Sequence, residues 1–196
     1  MDQNLLTTVK LCRDSYVDSD VRFTNVDELR YGVISQDGVN YIVFRGTANA
    51  LSWLDDFEIF PTHDVDDSLV HKGFLDAAEK LYSHICADLA TLNQLFPIVV
   101  TGHSLGAAIG VIIAKRFKAP LYTVGCPRVH NQLGCSPIPI THYRVIIGGD
   151  PVPKVPDDEL WFHTVKSYLN LTEKGDSLVD RKLHDIDLYI SRIEKS

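Results

Sequence analysis

The sequence has no long hydrophobic run and no excess of basic residues. Its longest apolar stretch, residues 106–114, is far short of the roughly 20 residues that cross a bilayer. Acidic residues outnumber basic ones by 26 to 19, and the resulting net charge of −7 argues against a nucleic-acid partner, because phosphate binding needs a basic surface. We therefore expect a soluble domain that binds no nucleic acid.

The cysteines and histidines also lack the spacings of the common metal sites. Cys12, Cys86, Cys126 and Cys135 form no Cys-x-x-Cys pair. We expect free, mostly buried thiols, a bridge between Cys126 and Cys135 being the main alternative. No metal-binding histidine pair and no phosphate-binding loop occurs, so we expect no metal and no cofactor. The N-terminus lacks the basic and apolar regions of a secretory signal, which predicts a cytoplasmic location, with export by a different route as the alternative.

Strand-like and helix-like segments alternate along the chain, with no interdomain linker and no repeat. Residues 29–35 and 40–44 predict a hairpin that turns at an Asp-Gly pair. Helical spacing of apolar residues predicts a long helix over 73–95 and a final helix over 177–193. The alternation predicts an α/β fold, with a central, mostly parallel sheet flanked by helices. We expect one domain over residues 1–196.

Residues 102–106 read Gly-His-Ser-Leu-Gly and match the Gly-x-Ser-x-Gly pattern of a nucleophilic serine. They lie between the β-branched run 98–101 and a helix of small residues over 104–117. A nucleophile on a sharp strand-to-helix turn requires small neighbours, and further small residues such as Gly110 would let the helix approach the sheet. Ser104 is therefore the candidate nucleophile, at a helix N-terminus suited to a developing oxyanion.

A serine hydroxyl needs a base to remove its proton and an acid to orient that base. Asp150 is the first carboxylate after Ser104. It follows an apolar run and a Gly-Gly turn, which predict the carboxyl end of a strand, where sites form in open α/β sheets. Two later aspartates in a proline-bounded loop are weaker candidates. His163 and His184 both remain possible bases, and the apolar surroundings of His163 favour His184.

These segments together resemble the class 3 lipase family over about residues 41–189. The resemblance rests on motifs that occur in the family's order, namely Val43-Phe44-Arg45-Gly46-Thr47 with Trp53, His71-Lys72-Gly73-Phe74, residues 101–107, Gly125-Cys126-Pro127-Arg128-Val129, residues 150–156 and His184-Asp185-x-x-x-Tyr189.

The resemblance implies the α/β-hydrolase fold and a serine carboxylester hydrolase that cleaves acyl esters of lipids or small apolar esters. The site residues that it implies are Ser104 as nucleophile, Asp150 as acid, His184 as base, the backbone N–H groups of Thr47 and Leu105 as oxyanion hole, and His163 as a structural histidine. Phospholipase A1-like or acyltransferase activity would use the same triad, and a non-catalytic binding domain would keep only the fold.

The family places a lid between Thr47 and His71, which implies a lid-like segment around residues 48–60 here. In this segment Leu51, Trp53, Leu54 and Phe57 are spaced to form one apolar face of a short helix. They are candidates for the acyl groove, and the alternative is an apolar face that simply packs on the core. We expect a lipid or small ester substrate and at most transient contact with a lipid interface, whereas the oligomeric state is not indicated.

The acidic residues of this segment lead to a prediction about interfaces. Asp55, Asp56 and Glu58 accompany the apolar face, and like charge repels an anionic surface, most strongly at low salt. We expect hydrolysis of short-to-medium acyl esters with only a modest rate increase when tributyrin passes its solubility limit. A steep increase at that limit, or faster turnover on anionic than on neutral emulsions, would contradict the prediction.

Overall fold

The strands of the described residues form a sheet of seven strands and a second sheet of four. The computed structural model describes residues 3–47, 60–131, 140–156, 161–162 and 168–196. The strands are β1 (Thr24–Val26), β2 (Leu29–Gln36), β3 (Val39–Phe44), β4 (Pro61–His63), β5 (Leu69–His71), β6 (Ile98–His103), β7 (Leu121–Val124), β8 (His130–Asn131), β9 (His142–Ile146), β10 (Trp161–Phe162) and β11 (Leu169–Asn170). The α-helices within these ranges are α1 (Gln3–Asp14), α2 (Lys72–Ala90), α3 (Leu105–Phe117) and α4 (Ile186–Lys195).

The central sheet has the strand order β1-β2-β3-β6-β7-β9-β11. Its first three strands pair antiparallel, and the neighbours from β3 to β11 all pair parallel. Parallel neighbours bring their carboxyl ends to one edge of the sheet, so the loops after β3, β6, β7 and β9 meet there. The predicted α/β class with a mostly parallel central sheet is confirmed.

The β2–β3 hairpin forms at the predicted Asp-Gly pair. Asp37 and Gly38 both adopt positive φ, 51° and 77°, which is the geometry of a tight two-residue turn that matches the strand twist. The hairpin sets the register of β3, because Tyr31 pairs with Phe44 and Gln36 with Val39. The end of β3 is thereby placed beside the end of β6, where Phe44 pairs with Gly102.

Helices cover both faces of the central sheet, so that strand residues alternate between two hydrophobic clusters. In β3, Ile42 and Phe44 belong to the cluster that contains α2 and α3. The intervening Tyr41 and Val43 belong to the cluster that contains α1 and α4. Because successive strand side chains point to opposite faces, a sheet covered on both faces favours nearly continuous apolar runs, such as residues 41–44 of β3.

Two helix boundaries differ from the sequence prediction. Helix α2 ends at Ala90 rather than Leu95, because the Gln94 side-chain amide donates a 2.5 Å hydrogen bond to the Leu89 carbonyl in place of a further turn. Helix α4 begins at Ile186 rather than Ser177. The Asp185 carboxylate caps it by accepting the Asp187 N–H at 2.9 Å.

The described cysteines Cys12, Cys86 and Cys126 are free thiols, as predicted, and Cys135 lies outside the described residues. Burial raises the pKa of the Cys12 and Cys126 thiols to about 12, so both are inert at neutral pH. Within the described ranges, no helix combines the length and the hydropathy that a bilayer span requires.

Helix α3 meets the end of β3 at a point without room for a side chain. A Cβ atom on Gly106 would lie 2.4 Å from the Phe44 carbonyl oxygen and 2.7 Å from the Arg45 carbonyl carbon. By contrast, a Cβ on Gly110 would meet its nearest atoms at 3.5 Å, an ordinary van der Waals distance. The close approach of helix and sheet therefore depends on Gly106, and not on Gly110 as the composition of the helix suggested.

We expect Gly106→Ala to destabilise the protein by about 1–3 kcal/mol through overpacking, which lowers the Tm by roughly 2–12 °C for a chain of this length. Gly110→Ala is the matched control in the same helix, and it should leave the Tm unchanged or raise it, because alanine is the better helix former. Differential scanning calorimetry measures both. Equal Tm values for the two variants would contradict this packing argument.

Candidate active site

Ser104 lies on the sharp turn between β6 and α3. Its φ of 59° and ψ of −129° are unusual for a residue with a side chain, and such strain marks functional turns. The turn is held by the Ser104 N–H, which donates to the Val124 carbonyl at 3.0 Å. It also requires Gly102, because a Cβ there would lie 2.4 Å from the Gly106 carbonyl oxygen.

Asp150 follows β9 in a turn at the same edge of the sheet. Its side chain is fully buried, yet both carboxylate oxygens have donors. Oδ1 accepts the Val152 N–H at 2.9 Å, and Oδ2 accepts the Tyr189 hydroxyl at 2.7 Å. A buried carboxylate with these partners stays oriented, and its desolvation is compensated.

His184 is the last residue of a short 3₁₀ helix, Arg181–His184, which lies directly before α4. Its Nδ1 lies 2.7 Å from Asp150 Oδ2, whereas its Nε2 has no hydrogen-bond partner among the described residues. Ser104 Oγ is also buried and, within the same ranges, unpaired. An imidazole held at Nδ1 by a carboxylate and free at Nε2 is the arrangement of a general base.

The loops around these side chains are packed closely against the imidazole. Gly125, directly after β7, has a φ of 57°. A Cβ at this position would lie 2.8 Å from His184 Cε1 and 3.2 Å from Asp150 Oδ2. On another side, the His103 ring stacks on the His184 ring with centroids 4.6 Å apart. These contacts fix the ring plane of His184 relative to the turn at Ser104.

The two residues predicted for the oxyanion hole lie on either side of this turn. Leu105 is the first residue of α3, so its N–H has no acceptor within the helix. Thr47 lies in the loop after β3, and its Oγ1 is buried without a partner among the described residues. The loop runs directly beside the turn, since a Cβ on Gly46 would lie 2.7 Å from Ser104 Cβ.

Tyr189 is a further residue of the site, and no role was predicted for it from the sequence. Its hydroxyl donates to Asp150 and accepts the Ile147 N–H at 3.1 Å. Burial and the neighbouring carboxylate raise the pKa of Tyr189 well above its usual value, so the phenol remains a donor. The motif His184-Asp185-x-x-x-Tyr189 contains this tyrosine, and that is the signal by which the sequence could have indicated it.

Several predicted residues lie outside the described part of the chain. These are the lid and groove candidates Leu51, Trp53, Leu54 and Phe57, and the alternative base His163. Within the described ranges no group of three or more metal-ligating side chains converges.

Comparison with known proteins matches this chain to one family. The family model described as lipase (class 3) matches residues 41–160, which is more than half of the chain. The chain belongs to the class 3 lipase family. The resemblance inferred from the sequence motifs is thereby confirmed.

Individual relatives agree with this membership. The secreted mono- and diacylglycerol lipase 1 of Fusarium solani is 38% identical over 125 residues, which cover 57% of this chain and 38% of that protein. Secreted mono- and diacylglycerol lipase A of Penicillium cyclopium is 30% identical over 141 residues, covering 64% of this chain and 46% of that protein. The chain thus spans less than half the length of these two relatives.

A solved structure supports the fold. The Rhizomucor miehei lipase propeptide complex superposes with a TM-score of 0.72 at 22% identity, covering 92% of this chain and 78% of that one. At this identity the likeness shows the fold alone, and it confirms the predicted α/β-hydrolase architecture.

The predicted cytoplasmic location is wrong. Relatives from Fusarium solani and Penicillium cyclopium are named secreted lipases, and these names contradict it. The prediction rested on the first residues of the chain alone.

The contact between Gly125 and the imidazole predicts the effect of one added methyl group. Gly125→Ala should displace the His184 ring and reduce kcat/KM for p-nitrophenyl butyrate by about 100-fold, because catalysis is sensitive to misplacements of about 1 Å. Gly38→Ala is the matched control, since Gly38 also has positive φ, 77°, but nothing lies within 4 Å of its added Cβ. Equal activities of the two variants would contradict the prediction.

Proposed function

We propose that this protein is a serine carboxylester hydrolase that acts on acyl esters of lipids, with Ser104, His184 and Asp150 as its catalytic triad. The observation that carries the proposal is the state of the imidazole. Asp150 holds Nδ1 at 2.7 Å, and the opposite nitrogen is buried without a partner in the described structure, as is Ser104 Oγ. Ser104 Oγ and His184 Nε2 are therefore both available for a proton transfer, while Asp150 orients the imidazole.

In the proposed acylation step, Ser104 Oγ attacks the ester carbonyl carbon while His184 Nε2 takes the hydroxyl proton. The new C–O bond gives a tetrahedral intermediate, and Asp150 stabilises the imidazolium that has formed. The imidazolium then donates its proton to the leaving alkoxide as the ester C–O bond breaks. An alcohol departs, and the acyl group remains on Ser104.

The negative oxygen of that intermediate requires donors that are already in position. We assign this role to the backbone N–H groups of Leu105 and Thr47, with help from the Thr47 hydroxyl. The assignment is supported by the buried, unpartnered Oγ1 of Thr47 and by the position of Leu105 at the positive end of α3.

In the second half of the cycle, His184 removes a proton from water, and the resulting hydroxide attacks the acyl-enzyme. A second tetrahedral intermediate forms in the same oxyanion hole. Its collapse breaks the bond to Ser104 Oγ, which regains a proton from His184 as the carboxylic acid leaves. The site is then restored without any other reactant.

The names of the relatives suggest the substrate class. Two are mono- and diacylglycerol lipases, so we propose acylglycerols, presented outside the cell, as substrates. The acyl groove formed by Leu51, Trp53, Leu54 and Phe57 remains a proposal from the sequence, as does the organisation of residues 1–196 as one domain.

Ser104→Ala is expected to reduce ester hydrolysis by several orders of magnitude and to abolish labelling by a fluorophosphonate, because no nucleophile remains. Ser83→Ala is the matched control, since Ser83 is exposed on α2. Hydrolysis of p-nitrophenyl butyrate and mass spectrometry of the labelled peptide provide the two measurements. Ser104→Ala with a rate near that of the unaltered protein would refute the proposal.

His184→Ala should be about as damaging as Ser104→Ala, and the double variant little worse, because triad members act as a unit. His84→Ala replaces an exposed histidine of α2 and should have no effect on the same assay. Losses that multiply in the double variant would show that Ser104 and His184 act independently, which the triad does not allow.

A further inference from the structure

A chain of hydrogen bonds connects the backbone on the two sides of the candidate nucleophile. The Gly46 N–H donates to the Tyr16 hydroxyl at 3.1 Å. The same hydroxyl lies 2.7 Å from His103 Nδ1, and His103 Nε2 lies 3.1 Å from the His184 carbonyl oxygen. The chain therefore runs from the residue before Thr47 to the backbone of the proposed base.

The direction of each bond follows from one carbonyl group. The His184 oxygen can only accept, so His103 Nε2 carries a hydrogen. Burial lowers the pKa of His103 well below its usual value, so the ring is neutral and Nδ1 must be an acceptor. Tyr16 then donates its hydrogen to Nδ1 and accepts the Gly46 N–H with an oxygen lone pair. Every donor in the chain has one acceptor.

Close packing around Gly46 fixes the position of its backbone at one end of this chain of hydrogen bonds. A Cβ on Gly46 would lie 2.6 Å from the Tyr16 hydroxyl, 2.7 Å from Ser104 Cβ and 2.9 Å from the His103 carbonyl oxygen. The peptide is thus confined between the phenol and the nucleophile turn. Since Gly46 precedes Thr47, the orientation of the Gly46 backbone sets where the Thr47 N–H points.

Tyr16 itself is held firmly. It lies in the turn after α1, where its N–H donates to the Arg13 carbonyl at 3.0 Å. The end of α1 is attached to β6, because Cys12 Sγ lies 3.2 Å from Thr101 Oγ1 and Cys12 is fully buried. The α1 segment precedes the residues that the family model matches, and none of the sequence motifs includes Tyr16.

We propose that Tyr16 is a positioning residue, whose hydroxyl orients the Thr47 amide of the oxyanion hole and, through His103, the backbone of His184. The proposal rests on the function proposed above. Tyr16 would touch neither substrate nor reacting atoms. The oxyanion donor and the base belong to separate loops of the polypeptide. Tyr16 would act by keeping both groups in position relative to Ser104.

The test is Tyr16→Phe, which removes only the hydroxyl. We expect kcat for p-nitrophenyl butyrate to fall by about 10- to 100-fold with KM changed less than about 2-fold, because oxyanion stabilisation acts in the transition state. Tyr31→Phe is the matched control, since it removes a buried phenol bond of 2.6 Å to Asp88 outside the site. It should leave kcat unchanged.

A second measurement separates positioning from stability. An alkyl trifluoromethyl ketone adds to the nucleophilic serine, and the resulting hemiketal oxygen occupies the oxyanion hole. Its affinity for Tyr16→Phe should fall by the same factor as kcat/KM, at a temperature where the variant is folded. A purely structural role would lower the Tm and leave both values unchanged for the folded fraction, and that result would overturn the proposal.

His103→Asn supplies a variant that does not depend on the folding of Tyr16→Phe. Its side-chain oxygen can replace Nδ1 as acceptor for Tyr16, whereas the donor to the His184 carbonyl is lost. We expect the ketone affinity to be largely retained and kcat reduced, and we expect the double variant to lose little more than Tyr16→Phe alone. Multiplying losses, or weak ketone binding by His103→Asn, would refute the coupling.

The two proposals fail in distinguishable ways. If the unaltered protein neither hydrolyses esters nor is labelled at Ser104 by a fluorophosphonate, the proposed function is wrong. If the unaltered protein does both and Tyr16→Phe has the same kcat and ketone affinity, only the role of Tyr16 is wrong.

Discussion

The candidate site depends on one steric constraint, the lack of space where the end of β3, the end of β6 and the start of α3 meet. Added Cβ atoms on Gly46, Gly102 and Gly106 would all lie less than 3 Å from neighbouring backbone or side-chain atoms. Three glycines therefore allow three backbones to approach closely. Because of that approach, the loop that contains Thr47 runs directly beside the strained turn at Ser104.

On this packed base, a few directed hydrogen bonds connect segments that are far apart in sequence. Asp150 Oδ2 is hydrogen-bonded to both the His184 imidazole and the Tyr189 hydroxyl. These bonds connect the loop after β9 to the start of α4. His103 contacts the His184 carbonyl, which ties the same region to β6. The bonds are effective because these groups are buried, and an unmade hydrogen bond is costly for a buried group. Burial also lowers the pKa of His103, which keeps its ring neutral.

Much of the fold could be predicted from local patterns. The hairpin at Asp37 and Gly38 follows from turn chemistry, and the α/β class follows from the alternation of apolar strands with helices. The helix boundaries at Ala90 and Ile186 were less predictable, because they depend on side-chain caps from Gln94 and Asp185 that compete with further helical turns. Gly106 rather than Gly110 is the critical glycine because of its short distance to the end of β3. The spacing of residues along a helix does not reveal that distance.

The sequence by itself determined the residue types and their order, with a serine between two glycines, a later aspartate after an apolar run, and histidines that follow. These are short-range features, and they suffice to name Ser104, Asp150 and His184 as candidates. It left His163 and His184 as alternative bases on residue spacing alone, and it assigned no role to Tyr16, His103 or Tyr189. Only the tertiary structure decided that His184 meets Asp150 and that Tyr16 reaches Gly46, since these pairs lie 34 and 30 residues apart. Contacts at such separations are set by the pairing of strands and the packing of α1 and α4 on the sheet, which no local pattern encodes.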